Sequence, residues 1–320
     1  PKAKAAFIAA ADSLHRYPDG SATALRHAIA QHYELPSANI VCGAGSDELI
    51  GLLIHAYAGA GDDIVMSEHG FLMYKIYAQG FGVNVVVAKE KDLRTDVDAM
   101  LAAITPNTKI VFVANPNNPT GSYISRDEMR RLQAGLPSHV ILVIDGAYAE
   151  YPEVANYSDG CDLVTEHENV VVLRTFSKIY GLSALRLGWS YAPTAIADVL
   201  NRIRGPFNVS TPAIAAGIAA IEDIAFTAAT RAFNNRELKR LESALRKIGL
   251  KVHPSIANFI LVEFPSSKHS AAEANRFLTE RGLIVREVAN YGLPQCLRIS
   301  IGMEEDNNAV IHALSDFLST

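Results

Sequence analysis

Two periodicities of hydrophobic and polar positions alternate along the first two thirds of the chain. Runs of three to five consecutive apolar residues are typical of strands buried on both faces of a parallel sheet. They predict strands at residues 39–42, 63–66, 84–87, 110–113, 140–144 and 170–173. Between them, apolar residues at helical spacing predict helices at 22–33, 46–57, 74–80 and 125–134, with Ser46 as an N-cap. This alternation predicts an α/β fold with a mostly parallel sheet flanked by helices.

The pattern changes near residue 223. A long charged helix at 231–248 precedes predicted strands at 251–253, 259–264, 283–286 and 297–301, with helices at 271–281 and 307–318. We therefore expect a large domain at 16–222 and a smaller α+β C-terminal domain at 223–320. Residues 1–15 are expected to form an N-terminal fragment that packs with the small domain.

Composition narrows the class of protein. Of the 320 residues, 49% are apolar and 20% are charged, which is typical of a globular chain. The net charge of −5 and the absence of a basic block predict no nucleic-acid partner, and no apolar run approaches the roughly 20 residues that span a bilayer. The three cysteines are far apart and the ten histidines show no ligand spacing, so we expect a cytoplasmic protein without a metal site.

Candidate chemistry begins with the sequence Thr-Phe-Ser-Lys-Ile-Tyr-Gly at 175–181. Lys178 follows a predicted strand, has Thr175 and Ser177 beside it, and has Arg186 eight residues later. The amine suits a Schiff base with an aldehyde cofactor, while the hydroxyls and the arginine suit a phosphate on the same cofactor. From this segment alone, an ordinary surface lysine is an equally good interpretation.

Polar residues also follow three other predicted strands, at the edge where open α/β sheets bind ligands. Asn118 offers an amide suited to a phenolate-type oxygen, although its Asn-Pro-rich segment also fits a simple loop. Asp145 suits a protonated pyridine nitrogen and Tyr148 the same ring oxygen as Asn118, although a strand-end aspartate is often a helix cap. Ser46 and Asp47 open a helix whose backbone N–H groups suit a phosphate.

These residues in this order resemble the fold-type I pyridoxal-phosphate aminotransferases. Within that superfamily the chain most resembles the histidinol-phosphate aminotransferase family, and the resemblance covers nearly the whole sequence. It rests on Asn118, Asp145, Tyr148, Lys178 and Arg186. Segments 15–20, 43–48, 115–121 and 296–302 add to it.

The resemblance implies pyridoxal 5'-phosphate as cofactor, with Lys178 as the Schiff-base lysine. It implies that Asp145 pairs with the ring nitrogen and that Asn118 and Tyr148 contact the ring oxygen. Phe71 stands where the family usually has a tyrosine stacked on the ring. The residues implied at the phosphate end are Ser46, Asp47, Thr175, Ser177, Arg186 and, from the other subunit of a homodimer, Tyr17.

The resemblance also implies a substrate site and a reaction. Arg298 stands where the family holds the distal anion of its substrate, and Arg286 is a candidate to assist. The implied reaction moves an amino group from L-histidinol phosphate to 2-oxoglutarate. Three alternatives stay open, namely an aromatic amino-acid aminotransferase, a threonine-phosphate decarboxylase and a sensor domain that binds the cofactor without turnover.

Overall fold

The structure is a computed structural model that describes residues 1–264 and 269–319. Its strands are β1 (Ile40–Gly43), β2 (Asp63–Ser67), β3 (Asn84–Ala88), β4 (Glu90–Lys91), β5 (Arg94–Thr95), β6 (Thr108–Ala114), β7 (Ile141–Asp145), β8 (Val170–Thr175), β9 (Gly188–Tyr191), β10 (Lys251–His253), β11 (Phe259–Glu263), β12 (Arg286–Glu287) and β13 (Cys296–Ser300). Its α-helices are α1 (Lys2–Ala9), α2 (Thr23–Tyr33), α3 (Ser46–Tyr57), α4 (Leu72–Gly80), α5 (Val97–Ala102), α6 (Arg126–Gly135), α7 (Cys161–Glu166), α8 (Thr194–Ile203), α9 (Thr211–Ile221), α10 (Ile224–Lys247), α11 (Ala271–Thr279) and α12 (Glu304–Ser319).

The larger sheet has seven strands in the order β1-β9-β8-β7-β6-β2-β3. The five consecutive strands from β8 to β3 in this order are parallel to one another. Strand β9 runs antiparallel to both of its neighbours, β8 and β1. All six strands predicted for this part of the chain are confirmed. Strand β9 was not predicted, because its Gly-Trp-Ser-Tyr sequence is not an apolar run although all four residues are buried.

Two hydrophobic clusters cover the two faces of this sheet. Along β6, Val111 and Val113 contribute to one cluster, whereas Ile110 and Phe112 contribute to the other, as the two-residue period of a strand requires. Helices α3, α4 and α8 bury apolar residues on one side, and α2, α5, α6, α7 and α9 bury theirs on the other. The predicted α/β architecture with helices on both faces is confirmed.

The smaller sheet is antiparallel, in the order β10-β11-β13-β12. Helices α10, α11 and α12 pack on one face of it around Val262 and Ile299. The predicted strand at 283–286 is wrong in its bounds, because β12 comprises only Arg286 and Glu287. Leu283 and Val285 pack against the apolar cluster of this sheet without joining its hydrogen-bond ladder, so their hydrophobicity reflects packing in a loop.

The N-terminal residues lie elsewhere than expected. Helix α1 packs along α9, inside the range assigned to the large domain, whereas its 3.2 Å ion pair from Lys2 reaches Asp223, the first residue of the range assigned to the small domain. Both helices are rich in alanine, whose small side chains let the two backbones approach closely. The expected packing of residues 1–15 with the small domain is therefore corrected, while the division of the chain at residue 222 stays a prediction.

Within residues 1–264 and 269–319, no single helix is both long enough and apolar enough to cross a bilayer. Helices α9 and α10 meet the requirement only when taken together, with a bend of 74° between them.

Candidate active site

A cavity of about 660 Å³, including its mouth to solvent, lies at the carboxyl ends of β6, β7 and β8. Every predicted cofactor residue except Tyr17 lines it. The lining residues are Ser46, Asp47, Phe71, Ala114, Pro116, Asn118, Asp145, Ala147, Tyr148, Thr175, Ser177, Lys178, Ser183 and Arg186. Residues from distant parts of the sequence meet here because parallel strands end at one edge of the sheet.

Asp145 is the last residue of β7 and only 4% of its surface is exposed. The backbone N–H of Ala147 donates to its Oδ1 at 3.1 Å, and the Tyr74 hydroxyl donates to its Oδ2 at 2.7 Å. Burial raises the pKa of Asp145 to about 6, and the two hydrogen bonds oppose that rise. A positive group placed against this carboxylate would restore its charge.

Tyr74 supports the site but was not predicted, and the same holds for the lining residues Ala114, Pro116, Ala147 and Ser183. The ring of Tyr74 is fully buried on α4 and stacks on Phe112 with centroids 4.5 Å apart and planes at 12°. Tyr74 begins the helix predicted at 74–80, and its ring packs as a core residue does. The signal for a second role was the hydroxyl itself, because a buried tyrosine needs a hydrogen-bond partner. Burial, and next the negative charge of Asp145, raise the pKa of Tyr74 well above its usual value. The hydroxyl therefore stays protonated and acts as the donor.

Lys178 lies in the segment that follows β8. The Thr175 hydroxyl accepts a 3.1 Å hydrogen bond from the Ser177 N–H, which turns the chain just before the lysine. The Lys178 Nζ is 5.2 Å from the ring centroid of Tyr148. Tyr148 is buried edge-on against Phe259, with centroids 5.1 Å apart, so the cavity wall beside the amine is an aromatic ring.

One end of the cavity is suited to an anion. Helix α3 begins at Ser46 with no side chain capping its first turn, which leaves backbone N–H groups available there. The predicted N-cap is therefore wrong: Gly45, with φ of +87°, occupies that position. A Cβ on Gly45 would lie 2.5 Å from Nη2 of Arg186, so the guanidinium would have to move, and the positive φ of this residue also favours glycine.

The acidic residues of α3 do not oppose an anion as strongly as their charges suggest. Arg186 Nη2 donates to Asp47 Oδ2 at 3.1 Å, and Glu48 turns away to accept from the Asn208 amide at 2.8 Å and from the Ala44 N–H at 2.6 Å. Arg186 Nη1 also donates to the Ser183 carbonyl at 3.0 Å. Because Arg186 and Asp47 are both partly exposed, their ion pair is weak and can open for a stronger anionic ligand.

Phe71 and Asn118 form two further walls. Phe71 directly precedes α4 and lies edge-on to Tyr74, with centroids 5.7 Å apart. Asn118 belongs to the segment after β6, where Asn115–Pro116 and Asn118–Pro119 are cis peptide bonds. The Asn117 amide donates to Thr120 at 2.9 Å and so fixes this loop.

Arg298 and Arg286 lie outside the cavity lining but are neighbours on the smaller sheet. Arg298 Nη1 donates to Asn118 Oδ1, and its guanidinium lies 4.9 Å from the Phe259 ring. Its Nε is buried without a hydrogen-bond partner among the described residues. Arg286 on β12 is the direct cross-strand partner of Arg298 and is exposed. Two like charges in this position repel each other unless an anion lies between them.

Tyr17 is placed apart from the cavity. Its ring is 82% exposed and stacks on Phe207, with centroids 4.6 Å apart. Within one chain Tyr17 does not line the cavity, and its contact with the cofactor of a second subunit stays a prediction.

The whole chain is similar to known aminotransferases. The family model described as aminotransferase class I and II matches residues 1–314. A histidinol-phosphate aminotransferase of Rhodospirillum centenum is 51% identical over 318 residues, which are 99% of this chain and 88% of that protein. Another, from Rhodopseudomonas palustris strain TIE-1, is 52% identical over 319 residues, 99% of this chain and 87% of that protein.

Solved structures agree with these relatives. The crystal structure of histidinol-phosphate aminotransferase from Sinorhizobium meliloti, in complex with pyridoxal-5'-phosphate, superposes with a TM-score of 0.94 at 28% identity. The match covers 100% of this chain and 87% of that one. It confirms the predicted fold-type I architecture, and the sequence identities confirm the predicted resemblance. The chain belongs to the class I and II aminotransferase family.

Proposed function

We propose that this aminotransferase uses pyridoxal 5'-phosphate to move the amino group of L-histidinol phosphate to 2-oxoglutarate. The observation that carries the proposal is the single cavity that brings Asp145, Asn118, Tyr148, Lys178 and Arg186 together at the carboxyl edge of the sheet. The names of the relatives at 51–52% identity support the substrate.

The residues present fit the cofactor at both of its ends. Arg186, Ser177, Thr175 and the first turn of α3 would hold the phosphate, in the space that the absence of a Cβ on Gly45 leaves open. Ser46 and Asp47 belong to that first turn. At the ring, Phe71 would stack on one face, and Asn118 and Tyr148 would contact the ring oxygen.

When bound, the cofactor supplies an electron sink that stabilises negative charge on the substrate carbon. Asp145 would keep the ring nitrogen protonated, because a positive N–H beside it offsets the burial that raises its own pKa. Lys178 would hold the cofactor aldehyde and then carry a proton to and from the substrate carbon as general base and acid. Tyr148, whose ring lies 5.2 Å from the lysine Nζ, would limit where that amine can move.

The arginine pair supports a phosphorylated amino donor. Among the described residues the buried Nε of Arg298 has no hydrogen-bond partner, and Arg286 stands opposite Arg298 across the ladder. A phosphate dianion would accept hydrogen bonds from both guanidinium groups and remove the repulsion between them. We propose that Arg298 and Arg286 bind the substrate, with Arg298 as the closer of the two to the cavity.

The proposal includes a homodimer in the cytoplasm. Tyr17 and Phe207 form an exposed aromatic pair, and Leu14 beside them is 65% exposed. Exposed apolar clusters of this kind are typical of interfaces. In the dimer Tyr17 would reach the cofactor phosphate of the second subunit.

A half-reaction assay tests the proposal. The cofactor-loaded enzyme is mixed separately with histidinol phosphate, phenylalanine, tyrosine and threonine phosphate, and the loss of the cofactor absorbance band is timed. We expect histidinol phosphate to react fastest, Lys178→Ala to abolish turnover, and Lys75→Ala, a change at an exposed lysine on α4, to leave it unchanged.

Each alternative has its own result in that assay. Faster reaction with phenylalanine or tyrosine would indicate an aromatic aminotransferase, and release of carbon dioxide from threonine phosphate would indicate a decarboxylase. A band that no amine changes would indicate a sensor. Turnover by Lys178→Ala at the wild-type rate would refute the role of the lysine.

A further inference from the structure

A second group of chemically reactive side chains lies on the smaller sheet, and none of them lines the cofactor cavity. His253 is on β10, Glu263 on β11 and Cys296 on β13. Glu263 is the direct cross-strand partner of Cys296, while His253 pairs with Leu261, two residues before Glu263. Because side chains two residues apart share a face of a strand, all three project from the same face of the sheet.

The three potential ligand atoms are close together. One nitrogen of His253, one carboxylate oxygen of Glu263 and the sulfur of Cys296 all lie within 4.8 Å of one another. The His253 Nε2 and the Glu263 Oε2 form a 2.9 Å hydrogen bond, which coordination to an ion would replace. In a tetrahedral site with metal–ligand bonds of about 2.0–2.3 Å, neighbouring ligand atoms are roughly 3.3–3.8 Å apart. Side-chain rotations that move these atoms by about 1 Å therefore suffice to reach that geometry.

We propose that His253, Glu263 and Cys296 bind one Zn²⁺ ion, with water as the fourth ligand. Imidazole, carboxylate and thiolate are the three side-chain groups that Zn²⁺ prefers, and three protein ligands plus water is a common arrangement for it. On binding, the thiol proton of Cys296 passes to solvent and the sulfur bonds to the metal. A neutral imidazole, a thiolate and a carboxylate then carry two negative charges, which the ion neutralises.

The surroundings of the cluster suit an ion that enters from solvent. His253 lines an open cleft of about 580 Å³, together with residues 92–94, 120–123 and 254–256. Cys296 is only 1% exposed and packs in an apolar cluster with Leu261 and Leu293. An ion arriving from the cleft would therefore meet the imidazole first, and the apolar residues around Cys296 would limit the access of oxidants to its thiolate.

Lys251 is the group that competes for this position. Its Nζ lies 2.8 Å from Glu263 Oε2, but the lysine side chain is 65% exposed. Such an exposed pair contributes little and can rearrange. His253 shares the same Glu263 oxygen, so Lys251 and His253 both lie where a bound ion would replace them as the partner of that carboxylate, and these two contacts leave the Cys296 thiol unaccounted for. The lysine also gives a sharp test, because removing it should favour a bound cation.

The test uses the cofactor-loaded enzyme after treatment with a chelator and removal of that chelator. Co²⁺ is added as a spectroscopic probe, and Zn²⁺ binding is measured by calorimetry. We expect one ion per subunit, a sulfur-to-cobalt charge-transfer band, and tetrahedral ligand-field bands at wavelengths longer than the cofactor absorbance. Zn²⁺ should displace the Co²⁺ and remove these bands.

Variants assign the ligands. Cys296→Ser should lose the charge-transfer band, and His253→Gln should weaken binding at least about tenfold, since losing even an outer-shell partner of a metal costs about 10–100-fold. Cys161→Ser, a change at a partly buried cysteine outside the cluster, should bind as the wild type does. Lys251→Met keeps all three ligands and should bind about fivefold more tightly, because a positive charge near the ion is removed.

Three results would overturn the proposal. One is the absence of stoichiometric binding in the wild type, and another is a charge-transfer band that survives in Cys296→Ser. The third is weaker binding by Lys251→Met, which remains informative even if a ligand variant fails to fold. None of these results depends on which amino donor the enzyme uses.

Discussion

Replacing Tyr74 with phenylalanine isolates one hydrogen bond of the active site. The ring can stay stacked on Phe112, but the hydroxyl that donates to Asp145 Oδ2 at 2.7 Å is lost. A hydrogen bond to a charged group contributes about 1.5–3 kcal/mol, and a shift of one pKa unit corresponds to about 1.4 kcal/mol. Because this bond stabilises the ionised carboxylate against the effect of burial, we expect the pKa of Asp145 to rise by about one to two units.

The consequence for activity follows from the charge of Asp145. A carboxylate with a higher pKa competes more strongly for the proton that it shares with the cofactor's ring nitrogen. The nitrogen is then protonated less of the time, so kcat/KM should fall about tenfold at neutral pH. The acidic limb of its pH profile should move to higher pH by about one unit. The assay is kcat/KM against pH for Tyr74→Phe, compared with Tyr77→Phe, a change on the same helix and outside the cavity.

Two outcomes would refute this reasoning. If Tyr74→Phe has the same profile and rate as Tyr77→Phe, the hydroxyl does not support the ionisation of Asp145. If the rate falls equally at every pH, the substitution acts through packing alone.

Three further changes probe the charge at Asp145, the anion end and the arginine pair. Without cofactor, the free energy of unfolding of the wild type relative to Asp145→Asn should fall by about 3 kcal/mol as the pH rises from about 4 to about 6. The reason is that the carboxyl ionises near pH 3.8 in the unfolded chain and near pH 6 when it is buried. The measurement is the denaturant midpoint of both proteins against pH, and a difference that does not change with pH would contradict the prediction. Gly45→Ala should weaken cofactor binding about tenfold by displacing Arg186, as measured by fluorescence titration. The control is Gly82→Ala, where φ is also positive at +73° but no described atom lies within 4 Å, and this variant should bind the cofactor as the wild type does. Arg286→Gln should raise KM for histidinol phosphate about fivefold and leave KM for phenylalanine nearly unchanged; an equal rise for both would show that this arginine does not recognise the phosphate.

The sequence was informative about the large sheet for a simple reason. Strands buried on both faces must be apolar at every position, so runs such as 110–113 and 170–173 identify themselves without any neighbour. Strand β9 contains Gly188 and Ser190, which are buried only because β1 and β8 enclose them, so no local pattern marks it. The packing of α1 on α9 is likewise decided by contacts between distant segments.

The site shows the same division. Asn118, Asp145 and Lys178 each follow a strand that the sequence predicts, and their convergence follows from parallel strands ending at one edge. Tyr74 does not follow a predicted strand, so its position in the sequence did not mark it as a site residue. Its ring packs in the core while its hydroxyl donates to Asp145.

Local pattern and residue order were enough to predict the succession of elements, the family resemblance and most of the residues around the cavity. Tertiary structure alone decided that a tyrosine hydroxyl supports Asp145, that Arg286 stands opposite Arg298, and that His253, Glu263 and Cys296 share one face of a sheet. Each of these depends on strand register or on the direction of a buried side chain. Neither is encoded in any single segment, since both are set by the packing of segments far apart in the chain.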